Sequence, residues 1–205
     1  MKVVAVSQRI DFLTERNEKR DSIDCQLNIF LDIAGYLAVP VPNTLVKITP
    51  KGRLLTKKKL DMWFSKIKPE ALVISGGNNL GQFVERDQTE ISLLDIAVEN
   101  KLPVLGICRG MQIMAMWAGT GLIKISNHTN IKHRISGKIN GLANSYHDYA
   151  LTSCPKGFIV LSKSIDGVIE AIRHEKLPWI GLMWHPEREN KPKIRDLRLV
   201  EKFFP

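Results

Sequence analysis

Residues 103–119 read PVLGICRGMQIMAMWAG. The first part, PVLGIC (103–108), is a short apolar run and reads as a buried strand. The last part, from Gly110, is apolar nearly all round, the pattern of a buried helix. Between them Cys108 stands in a Gly-x-Cys-x-Gly frame made by Gly106 and Gly110. A strand–nucleophile–helix elbow needs small neighbours, because its backbone is strained and the helix passes close to the strand. A cysteine there sits at a helix N-terminus, where the dipole and free N–H groups favour a thiolate. The Arg109 N–H is the natural donor to an oxyanion, and Gly77 could supply a second. A small apolar cysteine in a core strand fits the same frame. On the frame alone both readings stay open.

The flanking sequence repeats the alternation. KVVAVS (2–7), AVPVP (38–42) and ALVISGG (71–77) read as strands. SIDCQLNIFLDIAGYL (22–37), TKKKLDMWFSKI (56–67) and TEISLLDIAVEN (89–100) read as helices. Continuous rather than alternating apolar strands predict an α/β fold with a parallel sheet covered on both faces. After residue 120 the pattern becomes shorter strands joined by turns: GLIKI, RISGKI, YALTS, FIVLSKS and GVIEAIRH. PWIGLMW (178–184) is a last central strand. No linker or repeat interrupts the chain, so residues 1–205 read as one domain. Ligands of open α/β sheets bind beyond the carboxyl ends of strands. Those ends are Ser7-Gln8-Arg9, Gly76-Gly77-Asn78, Cys108-Arg109 and His185-Pro186-Glu187.

Composition narrows the class. The chain is 44% hydrophobic and 25% charged, as in soluble globular proteins. No run approaches the roughly 20 apolar residues of a membrane span, and MKVVAVSQR is too short for a signal-peptide core. A cytoplasmic location is expected. Three cysteines without a CxxC pair argue against a disulfide framework. The net charge of +9 would suit a nucleic acid, an anionic membrane or a phosphorylated small substrate, and taken alone it reads as a solvated basic surface. The lysine-rich stretches TKKKL (56–60) and KPKIR (191–195) lack interleaved aromatics, which argues against a nucleic-acid groove.

His185 strengthens the catalytic reading of Cys108. It ends an apolar strand in WHPE, and imidazole is a base near neutral pH. Glu187 can orient it across the turn that Pro186 stiffens. The remaining histidines are weaker candidates. A zinc site from His128, His133 and His147 is conceivable, but they show no helical metal-ligand spacing with a nearby acid. They read as ordinary loop residues, and no metal or cofactor is expected. Cys25 and Cys154 read as inert, and Met111, Met114 and Met116 as core filler beneath the elbow.

GICRGMQ followed by HPE resembles the class I glutamine amidotransferase family, and SGGNN, RDQTE, NSYHD, DGVIEAI and GLMWHPE extend the resemblance over nearly the whole chain. CRGMQ with RDQTE and NSYHD resembles the stand-alone γ-glutamyl hydrolases of that family. VSQRIDFLTERNEKRDSID is similar to small members found in capsule loci. The resemblance implies a flavodoxin-like three-layer fold with a small antiparallel addition. It also implies thiol hydrolysis of a γ-glutamyl amide, with a nucleotide-linked leaving group as one option. Cys108 would be the nucleophile, His185 the base, Glu187 its orienter, and Gly77 and Arg109 the backbone oxyanion donors. Gln112, Asn144, Ser145 and His147 would shape the glutamyl pocket, and Arg86 would lie on a substrate-side helix. Arg9 is a candidate for phosphate contact. Met183 departs from the glutamine often found there. A γ-glutamyl polyamine or aminobutyrate hydrolase and a glutaminase subunit feeding a synthetase remain as alternatives. A nucleic-acid-binding module predicts no thiol chemistry and fits these residues poorly.

Overall fold

Strands that are apolar on both faces need cover on both faces, and the computed structural model, which describes residues 1–204, shows how they obtain it. The central sheet contains β1 (Lys2–Ser7), β2 (Tyr36–Val41), β3 (Ala71–Ile74), β4 (Val104–Ile107), β5 (Thr129–Gly137), β6 (Gly141–Tyr146), β7 (Phe158–Ser164), β8 (Ile169–His174) and β9 (Trp179–Leu182). Their spatial order is β6-β5-β7-β8-β9-β4-β3-β1-β2. Neighbours from β2 to β9 run parallel. From β9 outward to β6 they are antiparallel. The parallel part has the flavodoxin-like order, and β3, β4 and β9 are buried along their whole length.

The helices α1 (Cys25–Ile33), α2 (Lys58–Ile67), α3 (Val84–Glu99), α4 (Arg109–Trp117) and α5 (Ile194–Phe203) form the outer layers. Leu27, Phe30 and Leu31 of α1 and Val200 of α5 pack on one face against Val4, Val6 and Ile107. Leu60 of α2, Leu93 and Leu94 of α3, and Met111 and Met114 of α4 pack on the other against Ala5, Leu72 and Ile74. The period-2 alternation of Val4, Ala5 and Val6 between two cores is the direct signature of an α/β/α sandwich. Met116 departs from its expected place in the core: it faces outward and is half exposed. No described helix is long and apolar enough to cross a membrane.

Three differences from the sequence reading bear on the site. Arg9–Leu13 and Glu18–Ser22 form a hairpin whose charged, weakly periodic residues give little strand signal. Helix α3 begins at Val84, not at Thr89, so RDQTE is helical throughout. GLIKI contributes only Leu122–Lys124, which pairs with Tyr149–Leu151 in a separate ribbon beside the main sheet.

Candidate active site

The elbow is built by close packing. A Cβ on Gly110 would lie 2.0 Å from the Ile74 carbonyl oxygen, and one on Gly106 would lie 2.4 Å from Met114 Sδ. No side chain fits at either place, so α4 leaves β4 hard against the sheet. Between the two glycines Cys108 takes φ +51° and ψ −105°, a backbone region that costs an L-residue energy. Its N–H donates to the Leu182 carbonyl at 2.7 Å, tying the elbow to the end of β9. Cys108 is buried at 6% exposure, yet it lines an open cleft of about 190 Å³. Gln112, His147 and His185 share that cleft.

His185 enters the cleft from the end of β9. Its Nδ1 donates to Glu187 Oε1 at 2.6 Å, which directs Nε2 away from the carboxylate. The ring lines the same cleft as Cys108. It packs against Gly76, where a Cβ would come within 2.6 Å of its Cε1. Burial alone would push the His185 pKa down. The charge and hydrogen bond of Cys108, joined by those of Glu187, outweigh burial and raise it to about 9. Such an imidazolium stabilises an adjacent thiolate.

The turn after β3 supplies the other wall. Arg86, fully buried, donates to the carbonyl oxygens of Ser75 at 2.9 Å and Gly76 at 3.0 Å, and also to that of Gly77. With its carbonyls gathered behind it, the turn presents Gly77 to the cleft at φ +82°. Among the described residues neither the Gly77 N–H nor the Arg109 N–H has a protein acceptor. Both are available to a developing oxyanion.

Several expected pocket residues lie behind the cleft instead of in it. Arg86 turns inward because α3 starts early, which sets it over Glu90 at i+4, 2.9 Å away. It holds the turn after β3 and does not line the cleft. The Arg109 guanidinium bonds Asp87 and Glu90. Ser7 Oγ donates to Glu90 at 2.8 Å. Two cations and two carboxylates are thereby paired beneath the elbow. Burial on its own would raise the Glu90 pKa, but Arg109 and Arg86 hold it below the usual carboxylate range.

Asn144 brackets His185: its Oδ1 accepts from His185 N–H at 2.8 Å and its Nδ2 donates to the His185 carbonyl at 2.8 Å. Ser145 Oγ donates to the His128 carbonyl. Both side chains sit behind the cleft wall. Gln112 lines it, donating to the Tyr149 carbonyl at 3.1 Å, with Met183 Sδ at 3.8 Å. Arg9 pairs with Asp11 at 3.0 Å and borders a separate cavity of about 20 Å³. The sequence reading omits Tyr146 and Arg188. The Arg188 guanidinium stacks on the Tyr146 ring at 4.9 Å, at the cleft wall. A cation one residue past HPE is the only signal that points to it.

A profile for glutamine amidotransferase class-I matches residues 37–204. The chain belongs to the class I glutamine amidotransferase family. A γ-glutamyl-CDP-amidate hydrolase of Campylobacter jejuni is 30% identical, over 71% of this chain and 75% of that protein. Anthranilate synthase component 2 of Thermococcus kodakarensis is 35% identical, over 90% of this chain and 93% of that protein. Among solved structures, a glutamine amidotransferase of Thermotoga maritima superposes with a TM-score of 0.63 at 16% identity, covering 98% of this chain and 82% of that one. A Thermoplasma acidophilum protein assigned as a GMP synthase subunit superposes with a TM-score of 0.71 at 20% identity, covering 99% of this chain and 92% of that one. The fold of this amidotransferase-family chain is thereby shared with theirs.

Proposed function

We propose that this chain is a thiol hydrolase that cleaves a γ-glutamyl amide, with γ-glutamyl-CDP-amidate as the substrate and glutamate and cytidine diphosphoramidate as the products. The observation that carries the reaction type is the alignment of Cys108, His185 and Glu187 with two unpaired backbone N–H groups around one cleft. The Cys108 thiolate attacks the γ-carbonyl carbon, and the carbonyl electron pair moves onto oxygen. The Gly77 and Arg109 N–H groups receive that oxyanion. Protonated His185 gives its proton to the leaving nitrogen as the C–N bond breaks, leaving a glutamyl thioester on Cys108. Neutral His185 then takes a proton from water. The resulting hydroxide attacks the thioester, glutamate leaves, and the thiolate–imidazolium pair is restored. No step calls for a metal or an organic cofactor.

The cleft supports the substrate class. A volume of about 190 Å³ suits an amino-acid-sized group and falls below the roughly 300 Å³ at which drug-sized ligands are enclosed. A nucleotide leaving group would extend past the rim, where Arg188 sits and the net charge of +9 attracts phosphate. The nucleotide itself is supported by the Campylobacter relative. The Thermococcus relative, matched over more of this chain, supports a second reading: a glutaminase subunit delivering ammonia to a synthetase.

The deciding experiment measures glutamate release from γ-glutamyl-CDP-amidate, a γ-glutamyl polyamine, γ-glutamyl-aminobutyrate and glutamine. Preference for the nucleotide-linked amide, lost in Cys108→Ala, is expected. Undiminished release by Cys108→Ala would overturn the nucleophile. Glutamine turnover that rises only with an added synthetase would favour the second reading.

A further inference from the structure

A second group of buried polar side chains lies under the antiparallel half of the sheet, and the thiol mechanism does not use its chemistry. His128 precedes β5, His133 lies on it, His147 follows β6 and Glu170 is on β8. His128 Nδ1, His133 Nε2 and His147 Nε2 stand 3.5, 3.5 and 3.6 Å from the same oxygen, Glu170 Oε1. All four atoms are buried and none has a hydrogen-bond partner; nor has Glu170 Oε2. Each such orphaned group costs roughly 1–3 kcal/mol.

The outer hydrogen bonds make the arrangement specific. His128 Nε2 donates to Asp166 Oδ2 at 2.8 Å, so in the neutral ring Nδ1 carries the lone pair. His147 Nδ1 donates to the Tyr149 carbonyl at 3.1 Å, so its Nε2 carries the lone pair. Two imidazole lone pairs and a carboxylate oxygen therefore face one another across a narrow gap. A positive charge between them would satisfy all of these lone pairs at once.

We propose that His128, His133 and Glu170, completed by His147, bind one divalent transition-metal ion, with zinc preferred. Zinc at bond lengths of about 2.0–2.2 Å in a tetrahedral site separates its ligand atoms by about 3.4 Å. The separations from Glu170 Oε1, 3.5 to 3.6 Å, match that span before any contraction on binding. The three principal ligand atoms lie within 4.8 Å of one another. Imidazole-rich donors exclude calcium and magnesium, which take oxygen. Asp166 and the Tyr149 carbonyl act as the outer partners that orient metal-bound imidazoles.

His147 Nε2 lies outside the group of three atoms and would complete a tetrahedral sphere by moving inward, which would make the ion structural. It would tie β5 and the loop after β6 to β8. That loop supplies His147 and Tyr149 to the thiol cleft, and the Glu170 carbonyl accepts from Met183 N–H at 2.7 Å, two residues before His185. The ion thus braces the wall and strand that hold the base.

The test is metal binding, independent of any substrate. Purified protein is stripped with a chelator, titrated with zinc against a chromophoric competitor, and analysed for bound metal by mass spectrometry. Wild type and Cys108→Ala should each hold about one equivalent and bind cobalt with the intense visible absorption of a tetrahedral site. His133→Gln should lose the ion. Asp166→Ala, whose half-exposed side chain lies outside the core, should bind zinc about 10- to 100-fold more weakly. Wild type that takes up no zinc overturns the proposal, leaving protonated histidines as the positive charge. So does zinc affinity equal to wild type in both folded variants, or an ion lost in Cys108→Ala.

Discussion

The two halves of the central sheet bury charge in opposite ways. Beneath the parallel half, Arg86, Arg109, Asp87 and Glu90 neutralise one another, and the Arg86 guanidinium also satisfies carbonyls of the turn after β3. Beneath the antiparallel half, three imidazole nitrogens stand 3.5–3.6 Å from one carboxylate oxygen without a hydrogen bond. The first arrangement balances its charges within the protein, with Arg109 Nε left without a hydrogen bond; the second gathers lone pairs that an added positive charge would satisfy. A scaffold that must aim Cys108 from one side and His185 from the other is thus held by an internal ion cluster on one flank and by an ion-ready cluster on the other.

Removing a member of the paired cluster should have the largest effect. Glu90→Ala strands two buried guanidinium groups and should cost about 3–5 kcal/mol in urea unfolding, with or without metal. A loss below about 1 kcal/mol would show that the charges are not mutually dependent. Gly110→Ala forces a Cβ toward the Ile74 carbonyl and should cost about 1–3 kcal/mol, with a fall in kcat as the elbow shifts. Asn144→Ala removes both bonds to the His185 backbone. About 1–2 kcal/mol of stability should go, and kcat should fall far more than KM rises. Equal changes in both constants would argue that Asn144 touches substrate.

A pH–rate profile sharpens the same comparison. The His185 pKa is raised from 6.5 to about 9, so its contribution to stability is complete below about 6.5 and is lost as pH rises through about 9. The acylation rate should fall over that upper limb, since the leaving nitrogen needs the imidazolium proton. Glu187→Gln removes one of the charges that raise the pKa and should move the limb to lower pH; an unmoved limb would assign it to another group. The smallest effect belongs to the unpaired cluster. In chelator-stripped protein Glu170→Gln should change stability by less than about 0.5 kcal/mol, because the amide can donate to an imidazole lone pair. The same variant should show no gain on adding zinc.

The elbow is legible in the sequence because its constraint is local: two glycines flank one cysteine at the junction of two apolar runs. His185 and Glu187 are legible for the same reason, at the end of a continuous apolar strand. That the sheet is parallel and covered on both faces is readable from unbroken apolar strands; its order is not. The direction of Arg86 is not, because it depends on where α3 begins, and Val84–Glu85 carry no strong start signal. The convergence of His128, His133, His147 and Glu170 is hidden for a different reason. Antiparallel pairing of β5 with β6 and β7, and of β7 with β8, gathers them from irregular spacings. No periodicity along the chain encodes that meeting.

The backbone of Cys108 carries one more consequence. At φ +51° and ψ −105° the residue occupies a conformation that glycine enters far more easily than any L-residue. Cys108→Gly should therefore be more stable than Cys108→Ala, though both lack the sulfur and neither should turn over substrate. Losing the side chain relieves backbone strain at the very residue proposed as the nucleophile. Selection for activity and selection for durability pull in opposite directions at this single residue.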